Sequence, residues 1–345
     1  MTRTIHADLL TTQKKTAYTP SLSLSIQDNG LPHPAVALSH PMTGYSGAPS
    51  ASVVAGNAIV RAHVSGGAVL VQRITDPTNS EQWTSWWTSL ASGANYPALF
   101  YTGTYVVCVY QITATKAVCW KRSDDGGATW SSEKTIWTET YNLGSLVLGA
   151  SGGATRSGLF YAHTTYIYFR LYDPTTDTFG APVSLNYGDT VASFGVCHDS
   201  GNTYRLVLAL GPNFDSRQNY VLAPSTYVYG TGVTATCGYV GLPTTIEQTG
   251  VPDYRSLANF HPAYVALAKV GTAFWLTFRV EPASGCALGN DIRIAVSDDG
   301  AYYSGSVKLG QASIADRLVA LPWSTGTTYL ACDSVLLVST PQPTV

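Results

Sequence analysis

The sequence predicts an all-β chain folded as a β-propeller of six four-stranded blades, and three observations carry that reading. Helix-period patterning is nearly absent outside residues 5–15. Short runs rich in Val, Tyr, Thr and Ala alternate with Gly, Asn, Asp and Pro turns at intervals of about ten residues. One strand-and-turn grammar recurs with a period of roughly 40–50 residues, the repeat length of a propeller blade. Five or seven blades are the alternatives.

Taken from the N-terminus, residues 1–19 come first as a separate segment. Ile5, Leu9 and Leu10 sit at helical spacing there, which predicts a short helix. Thr4–Ala17 is then either a docking element against a neighbouring subunit or a cap on the propeller's own edge. "PSLSLSIQD", Pro20 to Asp28, alternates as a strand does and is expected to close the ring by joining the last blade.

Three units share the grammar most clearly: one beginning near Gly47, one near Asn95 and one near Phe260. Each enters an apolar strand after Pro-Ala or Pro-Ser, turns at Gly or Asn, and presents a third strand ending in a polar turn: "QRITDPTNSEQW", "KRSDDGGATW", "AVSDDGAYYS". A fourth unit, "SGLFYAHTTYIYFRLYDPTTDTFGAPVSL", has the same third-strand turn, and a longer, more diverged one runs from Val191 to about Thr245. The segment "DRLVALPWSTGTTYLACDSVLLVST" supplies three strands and leaves the sixth blade one short. The propeller is therefore assigned to 20–340, and residues 341–345, "PQPTV", read as a tail or linker.

Composition narrows the function classes. Charged residues make up 12% of the 345-residue chain and the net charge is −2, with no Lys/Arg cluster longer than Lys14-Lys15, so the basic footprint of a nucleic-acid binder is missing. No apolar run of signal-peptide or membrane-spanning length occurs, so neither that export route nor membrane insertion is expected. Six scattered cysteines show no CxxC spacing, and His63, His163, His198 and His261 have no metal spacing among them, so neither a cofactor nor a metal is expected. Cys108 and Cys119 could face each other across a hairpin and form one disulfide.

Within "KRSDDGGATW", Ser123, Asp125, Gly127, Thr129 and Trp130 fit the spacing Ser-x-Asp-x-Gly-x-Thr-Trp. A degenerate copy, Ser297, Asp299 and Gly300, has lost the Thr-Trp end. The Asp side chain can accept N–H bonds within its own turn, Gly permits a left-handed backbone, and Trp can lie against the sheet. This Asp-box resembles the signature of the sialidase-like β-propellers, in which such boxes lie on the rim and serve the fold.

An active sialidase would be implied to carry three arginines on the substrate carboxylate, a Tyr nucleophile with a Glu, and an Asp acid/base. At the position matching the family's first arginine the chain reads Tyr45-Ser46-Gly47-Ala48-Pro49, with Gly47 in its place. Other glycosidases use paired carboxylates. Asp76, Asp173, Asp215 and Asp291 are placed in loops or turns, where turn formation accounts for them. No catalytic residues are assigned, and an enzyme is not the favoured reading.

The opening "MTRTIHADLLTTQKKTAYTPSLSLSIQD" and the following "NAIVRAHVSGGAVLVQRITDPTNSEQWTSWWT" resemble a group of proteins encoded in phage and prophage tail regions. The similarity extends by motif to about residue 100. It implies a tail or virion protein that is made in the cytoplasm without a signal peptide and built into an extracellular particle. Its partners would be other tail subunits or copies of itself, and host-surface glycans.

Trp83, Trp86 and Trp87 fall within five residues, and strand alternation would put Trp86 and Trp87 on opposite faces. One of them is then available to stack on a sugar, with packing between blades as the competing use. In the geometry implied by the sialidase-like resemblance, Tyr96 and His261 lie near the central opening and are also candidate ligand contacts. The alternatives to a non-catalytic adhesion propeller are a glycoside hydrolase with a rearranged site and a cellular carbohydrate-binding propeller.

Overall fold

The computed structural model describes residues 50–84, 87–140, 148–151, 156–163, 166–186, 191–210, 221–229, 232–236, 260–282, 291–301, 303, 307–311, 318–324, 327–331 and 335–340, together with short strands between 21 and 41. Those strands are β1 (Ser21–Leu22), β2 (Gln27–Asp28), β3 (Leu31–Pro32) and β4 (Ala35–Pro41). The helix expected within residues 4–17 and the tail at 341–345 lie outside the described residues.

The remaining strands form successive antiparallel sheets. Sheet one holds β5 (Ser50–Ala55), β6 (Ala58–Ser65), β7 (Ala68–Ile74) and β8 (Thr88–Ser92), with a single helical turn, α1 (Ser80–Thr84), crossing between the last two. Sheet two holds β9 (Ala94–Tyr101), β10 (Val106–Ile112), β11 (Ala117–Ser123) and β12 (Lys134–Thr138). Sheet three holds β13 (Leu148–Ser151), β14 (Ser157–His163), β15 (Tyr166–Asp173), β16 (Thr178–Phe179) and β17 (Val183–Asn186), the last two both pairing with β15.

Sheet four holds β18 (Val191–Ser200), β19 (Thr203–Leu210), β20 (Val221–Val228) and β21 (Gly232–Thr236). Sheet five holds β22 (Phe260–Val270), β23 (Ala273–Pro282), β24 (Asp291–Ser297) and β25 (Val307–Gln311). The last sheet joins β26 (Val319–Ser324), β27 (Thr327–Ala331) and β28 (Val335–Thr340) to β4 and β1.

The first strands of these sheets pack on one another in a closed cycle. β5 meets β9, β9 meets β13, and so on through β18, β22 and β26, which returns to β5. The architecture is an all-β propeller. Because strands within a sheet alternate in direction, the starts of the first strands and the second-to-third-strand turns share one face, here the upper face. The third-to-fourth-strand turns lie on the lower face.

The closing strand differs from the expectation. β28 pairs along its length with β4, from Val335 opposite Pro41 to Thr340 opposite Ala35, whereas only Ser21–Leu22 of the expected segment joins this sheet, on the far side of β4.

Sheets stacked around an axis bury both faces, and the strand sequences show it. Val106, Val107, Cys108, Val109 and Tyr110 are all fully buried along β10. Each such apolar side chain contributes about 1.5–3 kcal/mol on leaving water. Side-chain hydrogen bonds tie neighbouring sheets: Lys121 Nζ donates to the Leu90 carbonyl at 2.7 Å, the Val265 N–H donates to Ser193 Oγ at 3.0 Å, and Thr277 Oγ1 donates to the Leu318 carbonyl.

Cys108 and Cys119 are free thiols. Cys108 pairs with Lys121 and Cys119 with Tyr110, so the two cysteines are diagonal rather than opposite. Burial pushes both thiols up, away from reactivity.

Candidate functional site

The Asp-box occupies the lower face, between β11 and β12. Asp125 Oδ1 accepts N–H bonds from Ala128 at 2.9 Å and Thr129 at 2.8 Å, and Oδ2 accepts from Thr129 Oγ1 at 2.6 Å. Ser123 Oγ donates to Asp125 Oδ1 at 2.8 Å and accepts from the Gly127 N–H at 2.7 Å. These donors, Thr129 first, lower the Asp125 pKa to about 2. The turn also reaches the preceding sheet, since Arg73 Nε donates to the Gly126 carbonyl at 3.1 Å and the Trp130 ring packs in the core shared by sheets one and two.

The second copy keeps three bonds of the same kind, without those that Thr129 makes in the first. Ser297 Oγ donates to Asp299 Oδ1 at 2.9 Å, Gly300 N–H to Ser297 Oγ at 2.8 Å and Ala301 N–H to Asp299 Oδ1 at 2.7 Å. These hydrogen bonds come from each carboxylate's own turn, which is how such a side chain holds a tight turn.

Trp83 and Trp87 do not lie on a strand. Trp83 lies on α1, only 2% exposed, in the seam between sheet one and the last sheet beside Leu321 and Tyr329. Its indole N–H donates to the Pro77 carbonyl at 2.9 Å. Trp87 is half-buried with its ring 3.8 Å from that of His63, and Trp86 lies outside the described residues. Asn79 caps the helical turn that carries Trp83, its Oδ1 accepting the Glu81 N–H at 2.9 Å.

Arg61 organises this seam. Its guanidinium donates to Gln72 Oε1 at 3.1 Å and lies 5.5 Å and 5.3 Å from the Trp83 and Trp87 ring centroids. Burial first, and the Arg61 charge second, lower His63 to about 4. Arg61, His63 and Trp83 are buried here, and Trp87 covers them half-buried.

A Tyr–Glu couple exists elsewhere: Tyr110 donates its hydroxyl to Glu133 Oε2 at 2.8 Å. Tyr110 is fully buried, and burial plus the glutamate push its phenol far up, opposite to what a nucleophile needs. Among the described residues, no cluster of three His, Cys, Asp or Glu side chains could hold a metal ion.

A row of aromatic side chains lies toward the upper face instead, running from buried Tyr161 to exposed Tyr166. Trp137 of β12 stacks on Tyr161 of β14 with centroids 4.8 Å apart, and Tyr161 stacks on its cross-strand partner Tyr168 at 5.0 Å and 15°. Tyr166 follows at 6.1 Å, two residues along the same face of β15, and is 37% exposed. Arg170, on that face again, lies 4.7 Å from the Trp137 centroid and donates to the Gly180 carbonyl at 3.0 Å. Trp137 Nε1 donates to Glu139 Oε1 at 2.7 Å.

Tyr96, on β9, the innermost strand of sheet two, packs against the same core between sheets two and three that Trp137, Tyr161 and Tyr168 share. Its backbone has φ 56°, as Tyr264 of β22 has φ 54°. His261 starts β22 opposite Glu281, and its side chain lies outside the described residues. Among the described candidates read from the sequence, Tyr96 packs against this core, and Trp83 and Trp87 lie in the Arg61 seam.

No protein-family model matches the sequence, and no curated protein sequence matches it. Solved structures share the fold. A Trypanosoma rangeli sialidase superposes with a TM-score of 0.52 at 9% identity, over 93% of this chain and 59% of the other. A subtype N10 neuraminidase-like protein of an influenza virus from a little yellow-shouldered bat gives 0.50 at 8% identity, over 88% and 98%. A Bacillus subtilis arabinanase gives 0.43 at 11% identity, over 75% and 95%. The fold is that of a sialidase-like β-propeller.

Proposed function

We propose that this propeller binds carbohydrate without cleaving it, through the aromatic surface on its upper face, with each of its six sheets acting as one blade. The observation that carries the reading is the stack Trp137, Tyr161, Tyr168, Tyr166, ordered by packing at its inner end and open at its outer one. Sugars present a face of C–H bonds whose positive edge suits the negative face of an aromatic ring. A ring already held by neighbours loses little freedom when a ligand covers it.

We place the protein in a phage tail or virion, bound to other tail subunits or to copies of itself, and bearing the site toward host-surface glycans. That placement rests on the N-terminal resemblance and is tested separately, by electron microscopy of the purified chain and of any particle it copurifies with.

The second reading, a glycoside hydrolase with a rearranged site, is favoured by the likeness of the fold to that of a sialidase. One experiment separates the two: a glycan array probed with wild-type protein and with Tyr166→Ala, followed by chromatography of the retained glycan. Retention of uncut glycan, lost in the variant, supports binding alone. Shortened glycan would install the hydrolase reading.

A further inference from the structure

Two tyrosines of this protein occupy a backbone conformation that side chains avoid, and they do so at matching places. In sheet two, Asn95 pairs with Gln111 and Ala98 with Val109, so Tyr96 and Pro97 together oppose Tyr110. In sheet five, Ala263 pairs with Arg279 and Ala266 with Thr277, so Tyr264 and Val265 together oppose Phe278. Each is a bulge whose first residue has a left-handed backbone, the position that a bulge of this kind ordinarily gives to glycine. At Tyr96 the strain is compounded, because the following residue is Pro97, which confines its predecessor to extended backbone.

The bulges themselves do not require tyrosine. Glycine would bend both strands at no steric cost, so the side chains are what the strain retains. Both rings are half-buried, neither sealed in the core nor free in water. Tyr96 packs against the core between sheets two and three, against which Trp137 and Tyr168 also pack, and the Arg279 guanidinium sits 4.3 Å from the Tyr264 ring centroid. In the cycle β5, β9, β13, β18, β22, β26, the strands β9 and β22 are three steps apart in either direction, so the two tyrosines stand on opposite sides of the axis.

We propose that Tyr96 and Tyr264 are the opposed inner contacts of one ligand site at the mouth of the ring, and that the ligand is an oligosaccharide chain rather than a single sugar. The chain lies between the two tyrosines at the axis and runs outward over Tyr168 and Tyr166. This rests on the carbohydrate reading above and extends it from one exposed ring to a path across the upper face.

The test uses the full chain and an array of neutral and anionic oligosaccharides of graded length, with Tyr96→Gly, Tyr264→Gly and Tyr166→Ala beside the wild type and a melting curve for each. The expected result is retention that strengthens with chain length, falls by about tenfold in either glycine variant, and is lost without a lower melting temperature. Tyr96→Asn and Tyr264→Asn, which tolerate the left-handed backbone, replace any glycine variant that fails to fold.

Retention that disappears in Tyr166→Ala but is unchanged in both inner variants overturns this inference and leaves the carbohydrate reading standing. Binding that falls only in step with melting temperature also overturns it, since packing then explains the tyrosines. If the wild type retains no glycan, both readings fall.

Discussion

Gly127 of the Asp-box sits against Val60 of the preceding sheet so closely that a Cβ on the glycine would stand 2.7 Å from Val60 Cγ2. With φ at 94°, the same residue has a backbone that an L side chain resists. The degenerate box repeats the arrangement, with Gly300 at φ 70° against the Arg205 side chain of sheet four. A turn that looks local in sequence is thus a contact between neighbouring sheets.

Gly127→Ala should therefore cost about 2–4 kcal/mol, the sum of overpacking and a forced left-handed backbone. Urea denaturation measures it. Gly300→Ala should cost less, because its neighbour is a flexible arginine stem that can move aside.

Asp125 gives the box an acid limit. Its carboxyl is held at about 2, below its ordinary 3.8, so its contribution is full above that ordinary value and disappears as the pH falls toward 2. Thermal melts from pH 5 to pH 2 should show Asp125→Asn losing less stability over that range than the wild type does.

His63 sets a second window, at higher pH. Its folded value of about 4 lies below the ordinary 6.5, so the unfolded chain binds the extra proton first and stability falls between pH 6.5 and 4. The loss amounts to about 3 kcal/mol at most. His63→Gln should remove this slope from melting curves recorded between pH 7 and pH 4.

Asp177 joins sheets two and three at the lower face. It accepts from Lys134 Nζ at 2.6 Å and Tyr172 Oη at 2.5 Å and pairs with Arg122 at 3.1 Å. Asp177→Asn should cost about 1 kcal/mol in low salt and less in high salt, because Lys134 is half exposed and screened. A denaturant titration at two ionic strengths checks this.

The sequence made the repeating sheets and both Asp-boxes legible because their signals are local: a turn every ten residues, and carboxylates whose donors lie within four positions. Trp83 was harder to place, because Asp76, Pro77 and Asn79 turn its segment into a helical crossing that the repeat grammar does not show. Closure by 35–41 was hidden by the cleaner alternation of Pro20–Asp28 just before it. The aromatic surface was half visible. Tyr166, Tyr168 and Arg170 share one face by their spacing of two, but their meeting with Trp137 depends on how sheets two and three stack, which spacing does not encode.

The most direct measurement of the central claim is the retention of glycans by the wild-type chain on an oligosaccharide array, compared with Tyr166→Ala at equal folded concentration. The account predicts specific retention of uncut glycan by the wild type and a loss of about tenfold or more in the variant. Equal retention by the two proteins, or none by either, would contradict it.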